Sequence, residues 1–445
     1  MNKINIAVLG FGNVGSGTIK ILNMNKVKIE AKTGCEINVK NIFVKEINKE
    51  REVAVSKDIL TSNIDLILED PSISIIVELL GGVEPALSYI KRALICGKNV
   101  VTANKQVIAT YGNELRKLAK ENNVLLKYEA SVAGGIPILG LLSESLSGNE
   151  FNEITGIING TTNFILTKMT EKGMDYDIAL KDAQALGFAE ADPSSDVLGE
   201  DVAYKLSILA KVGFDFDISP KDIPTEGINK ISKDDIEYAL EFGYKIKLLA
   251  TIIKTGNQIE CHVRPTFIPI SHPLASVSNE YNALLIKGNA VSDVMVYGKG
   301  AGGMATGSAV VGDIIDIITK GDCKKLFDVS KQTNDNRTIN SYNSSNASPS
   351  ILNFIGEGES MFYMNMIVSD SPGVMGKIST CLGNHEISID SVIQRSSALR
   401  NDGFVSVVYI VHKCSRTSIQ DALKEIANFD FVKEIKSIIP VSPLN

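Results

Sequence analysis

The chain has 445 residues, 44% hydrophobic and 22% charged, with a net charge of −7, which suits a folded protein of two or three domains and argues against disorder or a nucleic-acid partner. No apolar run reaches the ~18 residues of a membrane span, so no membrane partner is expected. Six scattered cysteines without a C-x-x-C pair, and four histidines without ligand spacing, indicate reduced thiols in a cytoplasmic protein and no metal-ligand cluster.

From the N-terminus, short β-branched runs alternate with amphipathic stretches: INIAVLG, NVGSGTIKILNMN, VKNIFVKE, SIIVELLGG, PALSYIKRALICGK, NVVTAN, ELRKLAKENN and VLLKYEAS. Apolar runs without polar alternation, each followed by a helical period, predict buried parallel strands covered by helices over residues 1–130, the doubly wound pattern. The first apolar run follows a lysine but is short and broken by glycine, so it reads as a strand rather than an export signal.

VLGFGNVG sets Gly10, Gly12 and Gly15 in G-x-G-x-x-G spacing, directly after a strand and opening a helix. Gly10 permits the tight turn, Gly12 lets backbone approach a pyrophosphate, and Gly15 allows close helix–strand packing, while the helix N-terminus favours the anion. The second strand, NIFV, would end in an acid for strict NAD binding, since a carboxylate accepts from the ribose 2′-hydroxyl. Lys45 stands there instead and suits a 2′-phosphate, which favours NADP; Glu46 follows, so NAD stays open, and a solvated strand-end lysine would look the same.

From 131 to about 306 the pattern turns to mixed α and β, with helices expected around 160–173, 175–186 and 199–212. Hydride transfer to a carbonyl needs a proton donor, and no histidine lies in a promising cluster. Lysine can serve if its pKa is drawn towards the working pH, or as a cation that polarises the oxygen. On a wheel of GEDVAYKLSILAKVG, Lys211 falls about 180° from Val202, which puts it in solvent, whereas Lys205 falls about 40° from Leu209 on the flank of the buried face. Asp201 lies one turn before Lys205; an exposed i,i+4 pair is the plainer alternative. Glu190, Asp192 and Asp196 fill the preceding loop and Glu200 the first turn. An exposed acidic loop accounts for them, but acids beside a hydride acceptor would also suit a substrate ammonium.

A final helix around 307–321 is expected to return to the first domain. The stretch 322–358, rich in Asn and Ser, reads as a linker. After it, residues 359–445 give strand, turn, helix and strand, enough for a separate α+β module.

In order and spacing, GFGNVG, ELLGG, VVTANK, YEASVAGGIPI, INGTTNFIL, AQALGFAEADPSSDVLGEDVAYKLSILA, RPTFIPISHPLASV, YGKGAGG and GSAVVGDIID resemble homoserine dehydrogenase, in its single-function form with a C-terminal ACT domain, over nearly the whole chain. The resemblance implies a Rossmann-like doubly wound sheet, an α+β catalytic and dimerisation domain over 131–306, and a ferredoxin-like ACT domain. It implies reduction of aspartate 4-semialdehyde to L-homoserine with NADPH or NADH. Lys205 would be the acid/base and Lys105 would orient substrate and proton, one from each domain, while Glu190, Asp196 and Asp201 would hold the substrate. Cofactor contacts would fall on Gly10, Phe11, Gly12, Asn13, Val14, Gly15, Lys45, Lys105, Gly187 and Gly302. EASVAGGIP resembles the family's sodium loop, with backbone carbonyls of Glu129, Val132, Gly134 and Ile136 around the ion; a Gly-rich turn alone would read the same.

Two departures stand out. GMATGS at 303–308 replaces the family's usual P-T-A-S continuation near the nicotinamide, and Ser195 occupies a position that is acidic in some relatives. VSDSPGVMGKIS followed by ISIDSVIQ resembles an ACT domain, which implies threonine as effector and pairing into a homodimer or homotetramer. The rivals are a reductase of another semialdehyde and a non-catalytic nucleotide sensor; the two lysines together with Glu190 disfavour the sensor.

Overall fold

The structure, a computed structural model, describes the chain apart from residues 1, 52, 322–351, 395–402 and 443–445. It forms two compact units, the first of Met1–Phe151, Tyr204–Asp222 and Lys287–Ser350, the second of Asn152–Ala203, Ile223–Ile286 and Ile351–Asn445, each as far as it is described. The expected linker lies outside the described residues up to 351. Its end, Asn353–Gly356, is a strand.

The first unit holds β1 (Asn2–Leu9), β2 (Cys35–Phe43), β3 (Leu60–Thr61), β4 (Ile73–Glu78), β5 (Asn99–Thr102) and β6 (Leu126–Lys127), in the order β3-β2-β1-β4-β5-β6. Every pairing is parallel. β1 and β4 are buried along most of their length, which is why they read as unbroken apolar runs. The order reverses between β1 and β4, and such a switch point opens the crevice where dinucleotides bind in this topology.

The expected return helix runs from Gly303 to Lys320 and starts four residues earlier than the sequence pattern indicated. Its residues Ile314, Ile317 and Ile318 join the cluster of Ile4, Ile6 and Val8. Glycines bring it against the first helix, Asn13–Met24: a Cβ on Gly17 would stand 2.0 Å from the Gly303 carbonyl oxygen, and one on Gly307 would stand 2.7 Å from the Thr18 nitrogen. The GMATG departure is therefore a helix–helix contact surface.

The second unit holds β8 (Tyr244–Thr255), β9 (Gln258–Pro269) and most of β7 (Phe151–Ile157) and β10 (Tyr281–Gly288), hydrogen-bonded in the order β10-β7-β8-β9; β11 (Ser292–Lys299) belongs to the first unit. After β12 (Asn353–Gly356) come β13 (Ser360–Ser369), β14 (Ile389–Gln394), β15 (Phe404–Cys414) and β16 (Val432–Val441), in the order β16-β13-β15-β14, all antiparallel. With helices Val374–Asn384 and Arg416–Ile426 this is a β-α-β-β-α-β ferredoxin-like module. Phe362, Met364, Met366 and Val368 alternate along β13 towards Ile378, Leu382, Ile419 and Leu423.

The other face of β13 does not meet water. Asp235, fully buried on helix Lys233–Glu241, accepts from Tyr363 Oη (2.9 Å), Asn365 Nδ2 (3.2 Å) and Ser437 Oγ (2.6 Å). β16 also pairs with β9, Val441 opposite Phe267. The C-terminal module thus continues the sheet of the residues before it.

Candidate active site

At the switch point the glycines have distinct tasks. Gly10 has φ +107°, and a Cβ there would stand 2.7 Å from the Leu79 carbonyl oxygen, so the turn is pressed against the chain leaving β4. A Cβ on Gly15 would stand 2.3 Å from the Gly10 oxygen, while one on Gly12 would meet nothing within 4 Å. Gly12 and Asn13 are exposed at the N-terminus of a twelve-residue helix without a side-chain cap. Phe11 is buried, Val14 half-buried. These features fit a dinucleotide pyrophosphate, held by backbone N–H groups and the helix dipole. Lys45 lies exposed on the bend just after β2. A second cation, not picked out in the sequence, stands near: Arg51 donates to the carbonyls of Glu46 and Lys49, and its guanidinium lies 5.8 Å from the Phe11 ring centroid.

Beyond the switch point, Lys105 is the first residue of helix Lys105–Glu121 and is half-buried. Its setting rests on groups far apart in sequence. Glu78, fully buried at the end of β4, accepts from Leu80 N–H (2.7 Å) and Thr102 Oγ1 (2.6 Å), and burial pushes its carboxyl above the usual range. Thr102 Oγ1 accepts from Asn104 N–H (3.0 Å); Asn104 in turn caps the helix at Val107 (3.2 Å) and donates to the Gly82 carbonyl (2.6 Å). Glu78, Thr102 and Asn104 thus fix the end of the helix that carries Lys105.

Lys205 is half-buried on helix Glu200–Phe214, whose first turn belongs to the second unit and whose remainder, with Lys205, belongs to the first. Both candidate lysines therefore lie in the first unit. Lys211, expected in solvent, has a side chain only 17% exposed, held by Asp215 (2.8 Å) and Asp217 (2.7 Å). The wheel placed it opposite Val202, but that side of the helix is not solvent: Ser207 and Ile208, one turn earlier, are buried, and Asp215 and Asp217 follow on the segment after the helix.

In the second unit, Asn159 organises the acids. Its Oδ1 caps helix Gly160–Lys172 by accepting from Thr162 N–H (2.9 Å), and its Nδ2 donates to Asp196 Oδ1 (2.7 Å) and Asp201 Oδ2 (2.8 Å). Asp201 is buried and Asp196 half-buried. One amide thus gathers two of the predicted carboxylates. Glu190 and Gly187 are exposed on the loop after helix Tyr176–Ala185, with Gly187 at φ +77°. Asp192 is taken up locally, accepting from Ser194 N–H (3.1 Å), and its hydrogen bonds to Ser194 hold its carboxyl below the usual range. Asn159 lay inside INGTTNFIL, and an Asn directly before a helical period was its only sequence signal.

Back in the first unit, Glu129, Val132, Gly134 and Ile136 are buried together, with Ala133 and Gly134 both at φ +52°. A Cβ on Gly134 would stand 2.3 Å from the Gly300 oxygen. Backbone N–H groups engage two of the four carbonyls: Val132 reaches Glu129 at 3.4 Å, and Ile138 reaches Ile136 at 2.8 Å. Glu129 accepts from Leu139 and Gly140 N–H, each at 2.7 Å, and Asp313 accepts from Glu129 N–H at 2.9 Å. Burial, and then the neighbouring Glu129 charge, push the Asp313 carboxyl well up, which favours its neutral form. Gly302, at φ +110°, precedes helix Gly303–Lys320.

One donor cluster escaped the sequence reading. Cys381, His385 and Glu425 bring ligand atoms within 4.8 Å of one another; the His385 ring and the Glu425 carboxylate pair at 3.0 Å, and burial raises the Cys381 thiol to about 11.

Three family matches cover most of the chain: the NAD-binding domain of homoserine dehydrogenase over residues 10–129, homoserine dehydrogenase over 137–315 and the ACT domain over 362–431. A homoserine dehydrogenase of Bacillus subtilis is 37% identical over 440 residues, which cover 98% of each protein. Among solved structures, a homoserine dehydrogenase from Thiobacillus denitrificans superposes with a TM-score of 0.88 at 35% identity over 99% of both chains. A hyperthermophilic archaeal homoserine dehydrogenase in complex with NADPH matches 71% of this chain and 97% of its own, with a TM-score of 0.59 at 31% identity.

Proposed function

We infer the reaction from one premise: the chain belongs to the homoserine dehydrogenase family, and is an NAD(P)-dependent oxidoreductase acting on a CH–OH group. In our reading it interconverts L-aspartate 4-semialdehyde and L-homoserine, a step towards threonine and methionine. The bound nicotinamide would supply or take the hydride at the carbonyl carbon. Lys205 gives its Nζ proton to the nascent alkoxide in reduction and accepts the hydroxyl proton in oxidation. Lys105, set by Asn104 at its helix N-terminus, orients the substrate and its proton. Glu190, Asp196 and Asp201 receive the substrate ammonium.

The observation that carries this reading is the Asn159 amide joining Asp196 and Asp201. It holds two carboxylates as a unit, and such a unit attracts an ammonium group more strongly than one scattered surface acid. Exposed Lys45, with Arg51 close to Phe11, favours NADP over NAD, since two cations suit a 2′-phosphate. We assign a sodium ion to the carbonyls of Glu129, Val132, Gly134 and Ile136, which are buried together in a turn with Ala133 and Gly134 at positive φ. We assign the middle sheet to dimerisation, the ACT module to inhibition by threonine, and the protein to the cytoplasm; no described helix is long and apolar enough to cross a membrane.

Initial rates with homoserine and each cofactor, with and without threonine, test the reading. Lys205→Ala should abolish turnover while cofactor binding and the melting temperature persist. Near-normal turnover in that variant would remove Lys205 from the mechanism.

A further inference from the structure

Cys381, His385 and Glu425 belong to none of the roles assigned above. Among the described residues they are the one group in which three such donors bring their ligand atoms within 4.8 Å of one another. Cys381 lies in the last turn of helix Val374–Asn384, and His385, four residues on, follows its end, so the two side chains are neighbours on one side of the helix. Glu425 lies in the last turn of helix Arg416–Ile426. Both helices bury their other residues, Ile378, Leu382, Ile419 and Leu423, in the core of the C-terminal module. Two helix C-termini therefore meet at the cluster, and the carbonyls and dipole at such ends favour a cation.

Glu425 joins the other two. It pairs with His385 Nε2 through Oε2 at 3.0 Å and also accepts from the Cys381 thiol, whose further contact is the Ala422 carbonyl at 3.8 Å. The bond to His385, then that to Cys381, holds the Glu425 carboxyl below the usual range, so it is ionised. A coordinated thiol loses its proton outright, whatever its value without metal. A divalent ion held by one thiolate, one carboxylate and a neutral imidazole forms a complex without net charge, which suits a sulfur as deeply buried as that of Cys381.

The distances are within reach of coordination. Tetrahedral bonds of about 2.0–2.3 Å set neighbouring ligand atoms about 3.3–3.8 Å apart. The His385–Glu425 pair opens by a few tenths of an ångström from its hydrogen-bonded 3.0 Å, and a separation of 4.8 Å closes by at most about 1.5 Å. The side chains of His385 and Glu425 are 27% and 49% exposed and can turn to do so. Zinc is the ion that accepts all three donor types, whereas magnesium and calcium take oxygen alone. Asp421, one turn before Glu425, is engaged by Lys424 at 2.8 Å, which leaves the fourth position to water.

We propose that Cys381 Sγ, His385 Nε2 and a carboxylate oxygen of Glu425 bind one zinc ion, which pins helix Val374–Asn384 to helix Arg416–Ile426. The thiol proton of Cys381 leaves to solvent as the ion enters. The ion stabilises the C-terminal module, and turnover does not require it.

The full chain, stripped with a chelator and titrated with cobalt(II) chloride and then with zinc(II) chloride, tests the site. Cobalt produces a thiolate-to-metal charge-transfer band that saturates at one ion per chain, and an equivalent of zinc abolishes it. Zinc also raises the melting temperature, because it binds the folded module and not a preformed site in the unfolded chain. Cys381→Ser removes the band. His385→Gln and Glu425→Gln weaken zinc binding by at least about 100-fold, more than partners outside the coordination shell are worth, and leave the rate of homoserine oxidation unchanged. Wild-type protein without the band, or a band that persists in Cys381→Ser, overturns the proposal. So does an unchanged zinc affinity in His385→Gln and Glu425→Gln, which decide the matter if Cys381→Ser fails to fold.

Discussion

Gly17→Ala tests how the dinucleotide turn is held. The new Cβ would stand 2.0 Å from the Gly303 carbonyl oxygen and 2.4 Å from its carbon, and ordinary contact begins near 3.4 Å, so helices Asn13–Met24 and Gly303–Lys320 must part by about 1.4 Å. No flexible side chain can yield, which puts the overpacking cost at the upper end, about 3 kcal/mol. Alanine's better helix propensity offsets about 1 kcal/mol, leaving a net loss near 2 kcal/mol. For a unit of this size that lowers the melting temperature by roughly 4–8 °C. The parted helix also moves the N–H groups of its first turn, and a misplacement of about 1 Å can cost on the order of 100-fold, so the KM for NADPH should rise at least about tenfold. Gly12→Ala is the control: its backbone, at φ −87° and ψ −154°, accepts any residue, and the new methyl meets nothing in the protein. Its stability should stay within about 0.5 kcal/mol of wild type while NADPH binding falls, because the methyl occupies space reserved for the pyrophosphate. Scanning calorimetry and cofactor titration of both variants decide the matter. A Gly17→Ala protein with wild-type melting and KM, or a Gly12→Ala protein that binds NADPH normally, would refute this account of the turn.

Asn159→Ser keeps an oxygen to cap helix Gly160–Lys172 but loses the amide that joins Asp196 and Asp201; kcat/KM for homoserine should fall about 10- to 100-fold with little change in melting, and an unchanged ratio in steady-state assays would separate those acids from substrate binding. Lys247 is buried with Asn163 Oδ1 at 2.9 Å and the Val277 carbonyl at 2.6 Å, and desolvation lowers its pKa from 10.5 to about 7. The unfolded chain keeps that proton up to about 10.5 while the folded chain releases it from about 7, so unfolding takes up a proton and stability rises with pH across this window. Lys247→Met should flatten that rise in urea titrations at successive pH values; an unaltered slope would assign it to other groups.

Much of the first unit is legible locally. Strand, tight turn and helix follow one another within residues 2–24, and parallel strands buried on both faces announce themselves as unbroken apolar runs. The carboxylate-rich loop was visible too, yet which acids meet was not. Asp196 and Asp201 converge because Asn159, some forty residues earlier, donates to both, while Asp192 closes a local turn with Ser194. Glu78 escaped notice for a similar reason, as its partner Thr102 lies on the next strand.

By itself the sequence determined the doubly wound pattern, the glycine turn and an α+β module after residue 358, since period, spacing and turn chemistry act over a few residues. Only the tertiary structure decided that the tail is no detached appendage. Tyr363, Asn365 and Ser437 alternate with apolar neighbours as any solvent-facing residues would, and only the approach of Asp235 turns that polar face into a buried, hydrogen-bonded contact. The same holds for Lys211 and for Gly17 with Gly303: what a side chain or a missing side chain means depends on the distant backbone that comes to rest beside it.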